Sequence, residues 1–239
     1  ARMKLAVNID HIATLRQARA AREPEPILAA LLAEQAGASG VVCHLRGDRR
    51  HIQERDLKLL RQVIVTKLNL EMAATEEMLK VAREVKPDTV SLVPESPDEI
   101  TTQGGLEVIN QKNHLTSYIQ ELKKAGIKVS IFVDPLENQI EACQAVGADL
   151  VEINTGKYAD ARNEQERQTN LGEVRQAAVV ASRLGLEAHA GHGLDYHNVR
   201  PIVDIREISE LSIGFAIVAR AVMVGLTQAV REMLELIQR

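Results

Sequence analysis

Residues 36–52 read AGASGVVCHLRGDRRHI and contain the pattern on which the prediction of the fold depends. The run 40–44 is short, apolar and β-branched, which is typical of a buried β-strand. Gly37 precedes it, and glycine commonly takes the left-handed conformation that ends an α-helix. A polar segment with three arginines follows the run. We therefore expect the end of a helix, a buried strand and a basic loop in succession.

Similar junctions recur along the chain, as AGIKV at 125–129, VGADL at 146–150 and LGLEA at 184–188. Between them, short β-branched runs alternate with longer segments rich in Ala, Leu, Glu and Lys, which predicts repeated βα units. The eight predicted strands are residues 5–9, 40–44, 68–72, 89–93, 128–133, 150–153, 186–190 and 211–214. The eight predicted helices are residues 27–36, 56–65, 76–85, 115–124, 139–146, 164–184, 199–204 and 219–237.

Eight strands at this spacing predict a (β/α)8 barrel, the TIM barrel, with residues 1–239 forming one α/β domain. An open doubly wound sheet is the alternative. That fold usually has a glycine-rich loop after its first strand, and NIDHIATLR at 8–16 contains no glycine. Segments 19–26 and 94–113 are long for loops that follow barrel strands. We expect substrate contacts there, and we expect the second loop to close over the site.

The composition limits the classes of function. Hydrophobic residues make up 45% of the 239 positions, with two Phe, three Tyr and no Trp, so the core must be aliphatic. A net charge of −4 and the shortage of aromatic rings argue against nucleic-acid binding. Cys43 and Cys143 lie far apart in apolar runs, which favours free thiols in a reducing compartment. Neither a signal peptide nor a membrane span is evident, so we expect a soluble cytoplasmic protein with no membrane partner.

Barrel enzymes place their active sites at the carboxyl ends of the strands. Polar side chains are concentrated at those ends in this sequence, which predicts a site for a small molecule, although strand ends also meet solvent when no site is present. These side chains are Asn8, Asp10, His11, His44, Arg46, Asn69, Glu71, Thr101, Thr102, Glu152, Asn154 and those of the HAGHG segment at 189–193.

Glu71 lies inside the apolar segment LNLEM at 68–72. Burial would raise the proton affinity of its carboxylate, which suits a general base or acid near neutral pH. The alternative is a structural salt bridge to an arginine of a neighbouring strand. His44 ends the preceding strand, so a parallel barrel places it beside Glu71. This proximity favours a catalytic role for both residues.

The basic loop that follows His44 suggests an anion site. Arg46 and His51 are interpreted as contacts to a phosphate or carboxylate group. Arg49 and Arg50 are interpreted as solvated charges. The alternative for the whole segment is a charged surface loop with a structural histidine behind it.

A second anion site is predicted where the strands seven and eight end. Glycines flank His192 in AGHGL at 190–194, so backbone N–H groups are open to a phosphate oxygen. The segment SIGFA at 212–216 directly precedes the last helix, and the loops after strands seven and eight commonly bind phosphate in TIM barrels.

Metal binding and Schiff-base chemistry are not predicted. His189, His192 and His197 are close in sequence, but no carboxylate stands at ligand spacing. No lysine has the pattern of a Schiff-base aldolase. Lys157 is interpreted as a solvated loop charge, and Lys67 precedes the third strand.

Six strings give the chain a resemblance to the pyridoxine 5′-phosphate synthase family of vitamin B6 biosynthesis. They are NIDHIATLRQAR, HLRGDRRHI, LNLEMA, ITTQGGL, AGHGLDYHNV and IGFAIVARAV. The resemblance extends over essentially the whole chain. It implies a barrel with extra helices, assembly as a homo-octamer, and condensation of 1-deoxy-D-xylulose 5-phosphate with 3-amino-2-oxopropyl phosphate. It implies pyridoxine 5′-phosphate, phosphate and water as products, with no metal or cofactor.

The resemblance also implies roles for individual residues. The proton acceptors would be His44 and Glu71, and the proton donor would be His192. The contacts to the xylulose phosphate would be Asp10, His11, Arg46, His51 and Thr101. The contacts to the amino-ketone phosphate would be Asn8, Arg19, Gly193, Gly214 and the backbone of Phe215. Phe215 replaces an expected histidine, and Gly47 replaces an expected acidic residue.

Two other functions remain open from the sequence. One is a metal-dependent phosphosugar epimerase or aldolase that uses the histidines as ligands. The other is a barrel that binds phosphosugars without catalysis.

Overall fold

The computed structural model describes residues 2–95 and 104–238. Eight parallel strands form a closed barrel in which each strand pairs with its neighbours in sequence, and β8 closes against β1. The strands are β1 Lys4–Asn8, β2 Gly40–His44, β3 Leu68–Met72, β4 Thr89–Leu92, β5 Lys128–Val133, β6 Leu150–Asn154, β7 Glu187–Gly191 and β8 Ile208–Ile213. The predicted TIM barrel is confirmed.

The helices follow the strands, with additional helices beyond one for each strand. They are α1 Asp10–Ala18, α2 Pro26–Ala36, α3 Glu54–Val63, α4 Glu76–Val85, α5 Lys112–Lys124, α6 Glu137–Ala145, α7 Gly156–Ala159, α8 Glu164–Arg183, α9 Val199–Val203, α10 Phe215–Val224 and α11 Leu226–Leu236. A 3₁₀ turn at Ile109–Gln111 precedes α5. None of the described helices has both the length and the apolar composition that a membrane span needs.

Three helical regions differ from the sequence prediction. The short helix α7 follows β6, where a loop was expected. Helix α1 begins directly after β1, where only a loop was expected. Its buried face includes Asp10 and Arg16, and Ile9 at its N-cap position makes no side-chain capping bond, so the sequence lacks an N-cap signal. The predicted helix 219–237 is two helices, because Gly225 has φ +85° and ψ 152° and interrupts the helical backbone.

The aliphatic core predicted from the composition lies mainly between the strands and the surrounding helices. Leu5, Val41, Leu70 and Val151 are fully buried members of it. Cys43 and Cys143 are buried free thiols.

Polar side chains occupy part of the barrel interior. Lys67 directly precedes β3, and its Nζ lies 2.6 Å from Oε2 of Glu210 on β8, which is not a neighbour of β3 in the barrel. Such a contact has to cross the interior. Glu210 also lies 3.8 Å from the Nδ1 atom of His189 on β7. Charged and titratable groups therefore line the interior below the rim on which the predicted site residues lie.

Candidate active site

Three predicted site residues meet at the carboxyl ends of the first three strands. The register of β2 and β3 pairs His44 directly with Glu71. Nδ1 of His44 lies 4.0 Å from Oε2 of Glu71. Asn8 of β1 donates from Nδ2 to that same oxygen at 3.5 Å. The strand-end pattern therefore placed these side chains correctly relative to one another.

Asp10 connects the first and second strands at this rim. Its backbone N–H donates to Oδ1 of Asn8 at 2.9 Å. Its carboxylate accepts the backbone N–H of His44 at 2.7 Å. Asp10 is buried, so this hydrogen bond compensates for the loss of solvation of its carboxylate. The contact holds the end of β2 against the start of α1.

The surroundings of the Glu71 carboxyl group favour its protonated form. Burial raises its pKa well above the ordinary value, and the nearby carboxylates of Glu152 and Asp10 raise the pKa further. Glu71 is therefore protonated at pH values at which an exposed glutamate is ionised, and it is a stronger base once it has lost that proton.

Glu152 of β6 is a second buried carboxyl group, and it was not among the predicted catalytic residues. Burial raises its pKa to about 7; the charge of Glu210 adds to this rise, and His189 opposes it. A Cβ atom on Gly191 would overlap Oε1 of Glu152, so the glycine leaves the space that this carboxyl group fills. Its position in alternation with Asn154 was the available signal.

Glu152→Gln is expected to make stability less dependent on pH. The folded protein holds a proton on Glu152 up to a pKa of about 7, whereas the ordinary pKa is 4.5. Between these values the folded state binds more protons than the unfolded state, so stability falls as pH rises. The variant lacks this contribution, and chemical unfolding from about pH 4.5 to about pH 7 should show a smaller decline. An equal decline in both proteins would contradict the assignment.

Glu95 lies in the segment that follows β4, and it was not predicted as a site residue. Its Oε1 atom lies 2.8 Å from Nε2 of His44. Its Oε2 atom accepts the backbone N–H of Gly47 at 3.0 Å. Burial raises the pKa of Glu95, but these two hydrogen bonds and the positive charges nearby outweigh burial and hold the pKa below its ordinary value. Glu95 is thus an ionised acceptor beside the imidazole ring.

The predicted anion contacts in the loop after β2 are both buried. Arg46 is 3% exposed, and its Nε atom lies 3.6 Å from Oδ1 of Asp48. The ring of His51 lies edge-on to that of His44, with centroids 6.2 Å apart. Burial lowers the pKa of His51, so this imidazole is neutral near pH 7. Its Nδ1 atom accepts the N–H of Ile52 at 2.8 Å, which leaves Nε2–H as the donor that a ligand can use.

Arg49 and Arg50 both pair with acidic residues. Arg49 contacts Glu54 and Glu77, and Arg50 lies 2.7 Å from Asp48. The interpretation of these two arginines as surface charges agrees with these contacts.

His192 lies across the barrel mouth at the end of β7. Its backbone has φ +83°, and Gly193 follows with φ +73°. The hydroxyl group of Thr155 donates to the backbone oxygen of His192 at 2.6 Å and thereby supports this unusual backbone conformation. The ring packs edge-on against Phe132, with centroids 6.1 Å apart. Burial lowers the pKa of His192, so its ring is neutral near pH 7.

A side chain would collide at Gly193 and would be tightly packed at Gly214. A Cβ on Gly193 would lie 2.7 Å from Cβ of Ala159, and one on Gly214 would lie 3.0 Å from Cβ of Asn8. Gly214 is the N-cap of α10, and Phe215 is the first residue of that helix. The backbone N–H groups at this helix start suit an anion, as predicted.

Phe215 and Arg19 are exposed predicted contacts. The side chain of Phe215 is 70% exposed, and its ring lies edge-on to His11 with centroids 5.5 Å apart. The aromatic ring therefore covers one side of His11. Arg19 ends α1 and is exposed. Its substrate contact stays a prediction, and Thr101 lies outside the described residues together with much of the predicted closing loop.

The side chains that lie close enough together to bind a metal differ from the three histidines considered in the sequence analysis, His189, His192 and His197. Within residues 2–95 and 104–238, the group that gathers is Asp10, His44 and Glu71, whose ligand atoms lie within 4.8 Å of one another. His189 instead pairs with Glu187 at 3.0 Å. One imidazole and two carboxylates form a plausible ligand set for a divalent cation, and the acid–base roles of these groups need none. The absence of a metal stays a prediction.

The family model and the curated relatives agree on one family. The family model described as "Pyridoxal phosphate biosynthesis protein PdxJ" matches residues 5–239. A pyridoxine 5′-phosphate synthase from Trichlorobacter lovleyi is 51% identical over 99% of both chains. One from Prochlorococcus marinus is 56% identical over 98% of this chain and 96% of its own.

Solved structures support the fold alone. KGPDC from Streptococcus mutans has a TM-score of 0.67 at 10% identity and covers 99% of this chain and 98% of its own. The family match over nearly the whole chain and the identity above half to curated relatives are decisive. This chain belongs to the pyridoxal phosphate biosynthesis protein PdxJ family.

Proposed function

We propose that this chain condenses 1-deoxy-D-xylulose 5-phosphate with 3-amino-2-oxopropyl phosphate, giving pyridoxine 5′-phosphate, phosphate and water. The observation that carries the proposal is the convergence of His44 and Glu71 at one rim of the barrel. A buried carboxyl group with a raised pKa and an imidazole 4.0 Å apart can take up and return protons repeatedly. The names of the curated relatives support pyridoxine 5′-phosphate as the product.

The reaction needs several proton transfers, and the groups that lose or gain the protons differ in acidity. An amine and a ketone form an imine with loss of water, and later eliminations and ring closure remove and add protons at carbon and oxygen. His44 and Glu71 act as proton acceptors. His192, whose ring is neutral near pH 7 in the free protein, acts as the donor across the mouth after it has taken up a proton. Groups with different proton affinities can serve these steps without a metal or a cofactor.

The two phosphate groups need two separate anion sites. One is formed by Arg46 and His51 after β2. The other is formed by the backbone at Gly193 and Gly214, with the start of α10 behind it. The remaining predicted substrate contacts are Asn8, Asp10, His11, Arg19 and Thr101.

The direct test is to incubate the purified protein with both substrates and to detect pyridoxine 5′-phosphate by mass spectrometry. Formation of the product that requires both substrates supports the proposal. Binding of either phosphate without any turnover would instead favour a phosphosugar-binding barrel and would overturn it.

A metal-dependent phosphosugar epimerase or aldolase is the second candidate function. It is favoured by the gathering of Asp10, His44 and Glu71. The same assay in an excess of chelator, with elemental analysis of the protein, separates the two functions. Full activity without bound metal supports the proposed reaction, and activity restored only by an added cation supports the alternative.

We further propose that the protein is cytoplasmic and assembles as a homo-octamer. The exposed apolar face of α10 supports assembly, because Phe215, Val222 and Met223 are 70%, 68% and 78% exposed. Leu15 of the neighbouring α1 is also exposed. Apolar clusters of this kind commonly mark protein–protein interfaces.

Met223→Asp is therefore expected to reduce the size of the assembly. A charge introduced into a buried apolar interface lacks a partner and weakens association. Light scattering coupled to size-exclusion chromatography measures the mass directly. Val65→Asp is the matched control, because Val65 is 87% exposed and lies between α3 and β3 rather than on α10. A variant of Met223 with unchanged mass would contradict the assignment of this face.

A further inference from the structure

Glu95 makes two hydrogen bonds, one with each carboxylate oxygen. Oε1 faces Nε2 of His44 at 2.8 Å, and Oε2 accepts the N–H of Gly47 at 3.0 Å. The carboxylate is therefore held at two points, by a predicted catalytic ring and by the basic loop that follows it. It lies on the side of the ring opposite the contact with Glu71.

The contact decides where the proton of a neutral His44 resides. An ionised carboxylate can only accept hydrogen bonds, so Nε2 must carry the hydrogen that Glu95 accepts. The lone pair of the neutral ring is then on Nδ1, which is the atom 4.0 Å from Glu71. The proton-accepting nitrogen of His44 thus faces the reaction site, and the donor nitrogen faces away from it.

Other charged groups surround the ring without making this contact. Glu71 of β3 and Asp10 of α1 approach from one side, and Arg46 and His51 belong to the loop after β2. Asp10 bonds to the backbone N–H of His44 rather than to its ring. Of the described residues, Glu95 is the one with an atom at hydrogen-bond distance from a ring nitrogen of His44.

We propose that Glu95 is a positioning residue that orients His44 and selects the tautomer with Nδ1 free to accept a proton. A carboxylate that orients an imidazole in this way is a recurrent arrangement in acid–base catalysis. The proposal rests on the proposed function of His44 as a proton acceptor. It adds a residue that does not need to touch substrate in order to act.

Glu95→Gln is the test. Glutamine has one oxygen and one NH₂ group, so it cannot accept both N–H groups that Glu95 accepts. An amide nitrogen that faces His44 reverses the tautomer and blocks Nδ1 as a base. The expected result is a fall in kcat of about 10–100-fold with little change in KM, because the substrate contacts remain. A rise in KM with unchanged kcat would mean that Glu95 only holds the loop at Gly47, and it would overturn the proposal.

A double-mutant cycle shows whether Glu95 acts through His44. In a His44→Asn background, Glu95→Gln should cause no further loss of kcat. An equal loss in both backgrounds would overturn the proposal. Glu84→Gln is the matched control for removing one carboxylate, because Glu84 is exposed and pairs with Lys58 on the outer helices. It should leave kcat unchanged.

A crystal structure of Glu95→Gln separates failure of this proposal from failure of the proposed function. If the wild type makes no pyridoxine 5′-phosphate, the proposed function fails, and the crystal structure still reports on the ring. A rotated or displaced His44 ring supports positioning by Glu95. An unmoved ring with its hydrogen bond to residue 95 retained, together with unchanged kcat, overturns it.

Discussion

Glu71→Gln is expected to lower kcat by about 10²–10⁴-fold while the protein still binds both phosphorylated substrates. The substitution keeps the size of the side chain and removes the group that takes up and returns a proton. The pKa of Glu71 is raised well above its ordinary value by burial and by the nearby carboxylates of Glu152 and Asp10. The amide cannot replace that function at any pH.

Binding should survive because the anion contacts are elsewhere. Arg46 and His51 lie in the loop after β2, and Asn8 can still donate to the side-chain oxygen of a glutamine at position 71. Isothermal titration calorimetry with each substrate measures this separately from turnover. The uncharged side chain also removes the cost of a buried carboxylate, so the thermal stability of the variant should equal or exceed that of the wild type.

Glu84→Gln is again the control, because its exposed carboxylate lies in the last turn of α4 and pairs with Lys58 of α3. A Glu71→Gln variant that retains wild-type kcat would rule out Glu71 as a proton-transfer group. A variant that has lost binding as well as turnover would show that the residue mainly shapes the site.

The parts of the site that follow from strand periodicity could be predicted from the sequence. Residues two apart on a strand share a face, and neighbouring parallel strands bring their last residues together. Glu71 shares a face of β3 with Asn69, which lies two residues before it. His44 and Glu71 lie at the carboxyl ends of neighbouring strands, and they are direct partners in the register of β2 and β3. The fold could be predicted for the same reason, since eight apolar runs alternating with helices leave few other arrangements.

Glu95 could not be predicted by those rules. It follows β4 in an irregular segment, where the direction of a side chain cannot be predicted from a repeating pattern. The contact with His44 depends on the path of the chain after the strand, which is decided by tertiary packing. Helix α1 was missed for a related reason, because its buried face carries Asp10 and Arg16 beside Ile12 and Ala13. Arg16 pairs with Asp56 at 2.7 Å, and no sequence periodicity indicates that contact.

Gly191 is one of the glycines at which the structure leaves no room for a side chain. It ends β7 beside His192, and a Cβ atom there would overlap Oε1 of Glu152. The same Cβ would lie 3.0 Å from the backbone oxygen of Ser212 on β8. The carboxyl group of a buried side chain and the backbone of a barrel strand are both poorly able to move aside. The sequence showed only a glycine next to a histidine, which suggested an open backbone for phosphate instead.

Gly191→Ala is therefore expected to lower the stability of the fold by about 1–3 kcal/mol, as overpacking of a core does. It should also reduce kcat, since the displaced Glu152 alters the electrostatic environment that raises the pKa of Glu71. Thermal or urea unfolding measures the first effect, and the product assay measures the second.

Gly172→Ala is the matched control for Gly191→Ala. Gly172 lies within helix α8, is exposed, and has no atom within 4 Å of an added Cβ. Alanine in a helix interior is more stable than glycine by roughly 0.5–1 kcal/mol, so the control should raise stability and leave kcat unchanged. A loss of stability at position 191 and a gain at position 172, for the same change of glycine to alanine, would show that the carboxyl group of Glu152 occupies the space at position 191. If Gly191→Ala were as stable and as active as the wild type, the tight packing between β6, β7 and β8 would not constrain that carboxyl group.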